Sequence, residues 1–159
     1  KDKATIDGFV EAMPGGFETL NATITDAIKK AAEVITEQYS ASEIVLMMMG
    51  LTAHDATVVA EILKSKTSVT KVDLSLNKEI GDEGAKALAE ALKVNTTLEY
   101  LQLAGCGIGD AGAAALAEAL RFNTSLTELR LYKNGIGEQG KQLLRDAVAG
   151  REGFELGLD

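Results

Sequence analysis

Leu98-Glu-Tyr-Leu101-Gln-Leu103-Ala-Gly-Cys106-Gly-Ile108 and Leu126-Thr-Glu-Leu129-Arg-Leu131-Tyr-Lys-Asn134-Gly-Ile136 are one stretch written twice, 28 residues apart, with every apolar position falling on an apolar position. The correspondence continues beyond them: Gly112, Leu116, Leu120, Asn123 and Leu126 answer Gly84, Leu88, Leu92, Asn95 and Leu98 at the same shift. Self-similarity at a period of this size marks a stacked, quasi-linear solenoid, because one such unit cannot bury its own apolar face and must lean on its neighbour.

Upstream, Val69-Thr-Lys-Val72-Asp-Leu74-Ser-Leu-Asn77 opens another copy with one residue inserted at Lys78 to Glu79: Leu74 to Leu103 is 29, whereas Ile80 to Ile108 is 28. A fainter copy precedes it, in which Ile44, Leu46, Met49 and Leu51 stand for Leu101, Leu103, Cys106 and Ile108, and Val59, Leu63 and Val69 close the unit. Downstream, Phe154 lies 28 after Leu126, and Leu156 and Leu158 supply a last short strand if one residue is deleted. The count is four strand-plus-helix units and a terminal strand. Within each, L-x-x-L-x-L alternates as a half-buried strand does, while Ala85, Leu88, Ala89, Leu92 and Gly112, Leu116, Ala117, Leu120 recur at the spacing of a helix face. Thr52 with Asp55 makes a capping box, and Asp82 and Asp110 stand where the N-caps of their own helices belong. Asn95 and Asn123 fall past the last apolar residue, where left-handed backbone is expected to end a helix. The alanines keep side-chain volume low and let neighbouring helices pack closely, which accounts for an aromatic content of only 4%.

From about Glu43 onward these residues resemble the ribonuclease-inhibitor class of leucine-rich repeats. The pattern L-x-x-L-x-L-x-x-(N/C)-x-(I/L), followed by I-G-D-x-G-A-x-A-L-A-E-A-L and N-T-(T/S)-L, runs through Ile80 to Leu98 and Ile108 to Leu126. Similar runs occur in the tropomodulin C-terminal domain, NOD-like receptors and the GTPase activator of Ran. The resemblance implies an α/β fold: a right-handed β/α solenoid, a horseshoe segment of about four repeats, with a parallel sheet on the concave face and helices on the convex face. It also implies a ladder of Asn or Cys at the strand ends bonding the backbone of the turn. Asn77, Cys106 and Asn134 match that role; Met49 departs from it, which is expected to leave the first unit without the bond.

Residues 1–42 do not repeat and are read as an N-terminal segment with a capping helix; 43–159 are the solenoid. From Phe17 to Tyr39 an apolar stripe of Leu20, Ile24, Ala27, Ile28, Ala31 and Ile35 faces away from Asp26, Lys29, Lys30, Glu33 and Glu37. Pro14-Gly15-Gly16 separates it from a shorter cluster of Ile6, Phe9, Val10 and Met13. A solenoid end needs a terminal element with a polar outer face; the alternative is a helix offered to a partner.

Sixteen basic against 24 acidic residues give a formal charge of −8, which argues against nucleic acid, whose phosphates demand many Lys and Arg. One cysteine excludes an intramolecular disulfide, and the absence of an apolar run of 18 or more argues against a membrane span. A reducing, intracellular and cytoplasmic setting is expected, with an organellar one open because the chain begins at Lys1 without Met.

Several stretches imitate chemistry. Gly107-Ile-Gly109-Asp-Ala-Gly112 and Gly135-Ile-Gly137-Glu-Gln-Gly140 both read G-x-G-x-x-G, and the second continues into Lys141. A phosphate site has that logic. The spelling nevertheless recurs at the repeat spacing, and Gln142 stands where a magnesium-binding Ser or Thr is required. His54 has no second His or Cys beside it for a metal, and Cys106 has no base to make it a nucleophile. No cofactor, no metal and no catalysis are expected. Asn21, Asn95 and Asn123 head glycosylation sequons, two of them at the helix-ending Asn of the repeat.

Residues between the apolar positions of each strand point away from the core. Stacked, they form columns: Glu43, Lys71, Tyr100, Glu128; Val45, Asp73, Gln102, Arg130; Met47, Ser75, Ala104, Tyr132; Met48, Leu76, Gly105, Lys133. The N-terminal end thereby exposes Met47, Met48 and Leu76 with Val45, and the C-terminal end Tyr100, Gln102, Arg130, Tyr132 and Lys133. Tyr and Arg dominate interface energy, and a contiguous apolar patch marks a contact. The expected function is a non-catalytic protein-interaction module or scaffold that binds a protein partner through this face. The alternatives are an accessory subunit of a large, organellar assembly, in which the N-terminal segment matters more, and a regulator of a small GTPase.

Overall fold

The computed structural model describes residues 42–65 and 68–159. The capping helix expected within Phe17 to Tyr39, the stripe it carries and the cluster of Ile6, Phe9, Val10 and Met13 lie outside the described residues. Among the described residues five three-residue strands alternate with four helices: β1 (Glu43–Val45), α1 (Ala53–Ser65), β2 (Lys71–Asp73), α2 (Gly81–Val94), β3 (Tyr100–Gln102), α3 (Asp110–Phe122), β4 (Glu128–Arg130), α4 (Glu138–Val148) and β5 (Glu155–Gly157). All strands pair in parallel in the order β1-β2-β3-β4-β5, so each neighbour in sequence is a neighbour in space. The terminal strand uses the expected deletion, since Leu129 pairs with Leu156, 27 residues on.

The core is a set of rows running along the solenoid. Val72, Leu101 and Leu129 stand in register and are completely buried, as are Leu74 with Leu103, Leu98 with Leu126, and Leu88, Leu116 and Leu144. On the helix side Ala85, Ala89 and Ala91 meet Ala113, Ala117 and Ala119, all buried, so the helices approach closely over small side chains. Full burial of a leucine contributes about 1.5–3 kcal/mol, and repetition of that term along each row holds the stack. At the C-terminal end no further coil follows among the described residues, and Leu143, Phe154, Leu156 and Leu158 are only partly buried.

Polar groups bind one coil to the next, and their direction differs from the sequence expectation in three places. First, the ladder residues reach back to the preceding coil. Asn77 Oδ1 accepts the amides of Met49 and Leu51 at 3.0 Å, and its Nδ2 donates to Leu46 O and Leu74 O. Asn134 does the same with Cys106, Ile108, Leu103 and Leu131. The Met49 turn is therefore tied after all, by its neighbour's asparagine. Second, Asn95 and Asn123 are not left-handed; both have φ −77° and extended backbone. Each is a second ladder at the opposite rim, with Asn95 Nδ2 donating to Leu63 O and Asn123 Nδ2 to Leu92 O, both at 2.8 Å. Arg151, 28 residues after Asn123, replaces the amide in the last coil. Its guanidinium donates to Leu120 O, Asn123 O and Leu126 O and lies over the Phe154 ring.

Third, Asp82 and Asp110 do not cap their own helices. Asp82 Oδ1 accepts the amides of Gly109 at 2.7 Å and Gly112 at 2.8 Å, which are the start of α3, and Asp110 Oδ1 accepts that of Gly137 at the start of α4. Each carboxylate thus serves the positive end of the next helix. Gly112 makes room for it: a Cβ there would come within 2.7 Å of Asp82 Oδ1 and Ile108 Cγ2. At α1 the equivalent of that glycine is Asp55, which with Thr52 closes the expected capping box on its own helix.

One backbone feature escaped the sequence reading. The residue closing each strand turn is left-handed in every coil: Met48 (φ 58°), Leu76 (62°), Gly105 (66°) and Lys133 (56°). Non-glycine residues adopt this at about 1–2 kcal/mol. The amides so turned donate to Ser75 O, Ala104 O and Tyr132 O of the following coil, and in the last coil to the Asp159 carboxylate at 2.6 Å.

Cys106 is buried and donates from Sγ to Leu74 O at 3.2 Å. Burial pushes its thiol up to about 11, against the opposing pull of the Asn77 amide. The folded state therefore holds this proton where the unfolded state, near 9.0, has released it. Stability that is complete below about pH 9 falls as pH climbs toward 11, by about 2 kcal/mol. Urea titrations of wild type and Cys106→Ala at pH 8 and pH 10.5 measure this as an alkaline loss larger in wild type than in the variant, which keeps the smaller loss from groups such as Tyr100. In the same assay Asp82→Ala is expected to cost about 1–2 kcal/mol and Asp110→Ala, which satisfies one amide rather than two, less. Gly112→Ala should destabilise by about 1–3 kcal/mol despite alanine's higher helix propensity.

Candidate functional site on the concave strand face

The outward side chains of the sheet form the strips that the repeat alignment anticipates. Glu43, Lys71, Tyr100, Glu128 and Glu155 are in-register neighbours across the five strands, and Val45, Asp73, Gln102, Arg130 and Gly157 form the next row. On β1 to β4 the strands position these groups rigidly, because the inward residues Ile44, Val72, Leu101 and Leu129 are locked in the core.

Of the residues singled out from sequence, Tyr100, Gln102, Arg130 and Tyr132 come together on β3, β4 and the turn after β4. The Arg130 guanidinium stands 5.5 Å from the centroid of the Tyr100 ring, and its Nε donates to Glu128 Oε1. That hydrogen bond, more than the nearby Tyr100, raises the Arg130 pKa, and burial raises that of Tyr100. Lys133 lies at the upper rim, in the left-handed turn, exposed. Gln102 sits between Asp73 and Arg130, and its Oε1 is buried with no hydrogen-bond donor among the described residues.

Met47, Met48 and Leu76 are not part of this group. With Val45 and Met49 they make a separate apolar patch at the end of β1 and β2, where Met48 is 67% and Leu76 42% exposed. Ala104 and Gly105, both small, lie between the two regions. Asn77 and Cys106 are buried and Asn134 is half-buried, all three engaged with the turn backbone.

Sequence reasoning missed Glu155 and Gly157. With Glu128, Arg130, Tyr132 and Leu156 they line a shallow concavity of about 290 Å³ between β4 and β5. Gly157 admits the Tyr132 ring, since a Cβ there would fall 2.6 Å from it. The expected one-residue deletion before β5 brings Glu155 beside Glu128, but its place is fixed by the strand pairing.

The chemistry-like motifs resolve structurally. The anion position at the start of α3 is filled by Asp82 and that at α4 by Asp110, so carboxylates from the preceding coil sit where a phosphate would. Lys141 donates to Asp159 O and pairs with Glu138. Asn95 and Asn123 are buried with their amide nitrogens engaged, which removes them as glycan acceptors in the folded state; Asn21 lies outside the described residues. His54 is exposed. Among the described residues no group of three His, Cys, Asp or Glu is placed to hold a metal, and no helix is long and apolar enough to cross a membrane.

Known proteins share this architecture. The leucine-rich repeat family matches residues 65–89, 94–117 and 122–142. The solved structure of leiomodin-1 actin-binding site 2 is similar with a TM-score of 0.72 at 24% identity, covering 84% of this chain and 78% of that one. The tropomodulin C-terminal domain of Caenorhabditis elegans is similar with a TM-score of 0.71 at 16% identity, over 85% and 82% of the two chains. The rows of buried leucine, the asparagine ladders and the sequential parallel sheet, with three segments matching the leucine-rich repeat, give this chain a leucine-rich repeat β/α solenoid fold.

Proposed function

We propose that the chain is a non-catalytic protein-interaction module that binds a protein partner along its concave strand face. The observation that carries this reading is the Tyr100–Arg130–Tyr132 group. Tyr100 and Arg130 stand on adjacent in-register strands and Tyr132 on the turn that follows, and all three side chains reach the outer face. Tyr and Arg are the residues most often found to dominate binding energy, and groups ordered beforehand lose little entropy on association. The Val45, Met47, Met48 and Leu76 patch extends the contact toward the N-terminal end, where methionine adapts to irregular apolar surfaces.

Leiomodin-1 actin-binding site 2, similar over most of this chain, makes actin the first partner to try. Tyr100→Ala, Arg130→Ala and Tyr132→Ala are each expected to weaken partner binding at least tenfold, about 1.4 kcal/mol or more. Lys86→Ala on the convex helix α2 should leave it unchanged. Co-sedimentation with filamentous actin measures this for actin. Parallel affinity capture with wild type and the triple alanine variant, read by mass spectrometry, measures it for any other protein. Retention of every partner by the triple variant would reject the face.

A further inference from the structure

We infer that the partner segment seated on the C-terminal half of the concave strip is basic, bringing a Lys or Arg side chain into the concavity between β4 and β5. This rests on the reading that the concave face binds. Glu128 and Glu155 are in-register neighbours on adjacent strands and both line that concavity. Like charges so placed repel, and the strand pair tolerates them only in part through Arg130, which is engaged with Glu128. Glu155 is exposed; its amide donates to Thr127 O, while its carboxylate makes no hydrogen bond or ion pair among the described residues.

The rest of the strip repeats this imbalance. Its other cation, Lys71, is paired with Glu43 at 3.0 Å. Asp73 takes only the amide and hydroxyl of Ser75, and Gln102 Oε1 has no donor. At the upper rim the Asp159 carboxylate takes the backbone amide of Lys133, whose side chain makes no ion pair among the described residues. Acceptors therefore outnumber the donors left to meet them. The Tyr132 ring, seated against Gly157, adds a wall whose face attracts a cation. A net charge of −8 draws a basic partner from a distance, more strongly at low salt.

The full chain, labelled with ¹⁵N, is titrated with acetyl-Arg-Gly-Arg-amide and with acetyl-Glu-Gly-Glu-amide. The basic peptide is expected to shift the amides of Glu128, Tyr132, Glu155 and Gly157. Glu155→Gln should weaken it at least threefold, Glu138→Gln on α4 should not, and 0.5 M salt should abolish the shifts. Equal or stronger shifts of the same amides by the acidic peptide would overturn the basic assignment while leaving the concave reading intact. Shifts confined to the helices would overturn both, and no shift with either peptide would overturn the inference alone.

Discussion

A buried amide that its own coil cannot satisfy is the constraint on which this structure turns. Short strands and tight turns leave free N–H and C=O groups inside the stack, and each needs a partner. Side chains from the adjacent coil supply them at both rims: Asn77 and Asn134 above, Asn95, Asn123 and Arg151 below. The leucine rows provide most of the stabilisation, but they are tolerant of sliding; the directional bonds are what set the coils in register. Stability is consequently a sum of coil and nearest-neighbour terms.

The apolar grammar of the fold was legible because leucine, valine and isoleucine must recur where the core recurs. The columns Glu43, Lys71, Tyr100, Glu128 and Val45, Asp73, Gln102, Arg130 read from spacing are the strand partners observed. Polar residues were a different matter. A spacing of 28 says that Asp82, Asn95 and Met49 hold equivalent places, but it is silent on whether a side chain serves its own coil or a neighbour. Periodicity likewise does not reveal left-handed backbone at Met48, Leu76 and Lys133, where the sequence has no glycine to announce it. Arg151 was invisible for another reason: a guanidinium does the work of a carboxamide, so residue type broke while position held.

The candidate site was readable to the same degree. Its Tyr and Arg members follow from the alternation of the strand, which sends every second side chain outward. Glu155 does not, since the register of β5 depends on a one-residue deletion whose place only the paired strands reveal. The resulting face is divided, with an apolar patch at one end, a charged and aromatic group at the other, and Ala104 and Gly105 leaving a shallow saddle between them.

The pairing of a carboxylate with a glycine at the α2–α3 and α3–α4 seams gives the array a direction of growth. Asp82 against Gly112 and Asp110 against Gly140 are interchangeable seams, so an internal 28-residue duplication creates junctions already complementary. The first unit has no such freedom: Ala53 and Ala56 stand where Gly84 meets it, and Asp55 fills the place a glycine would need. A gene of this kind can lengthen from its middle, one period at a time, but not by copying its opening turn.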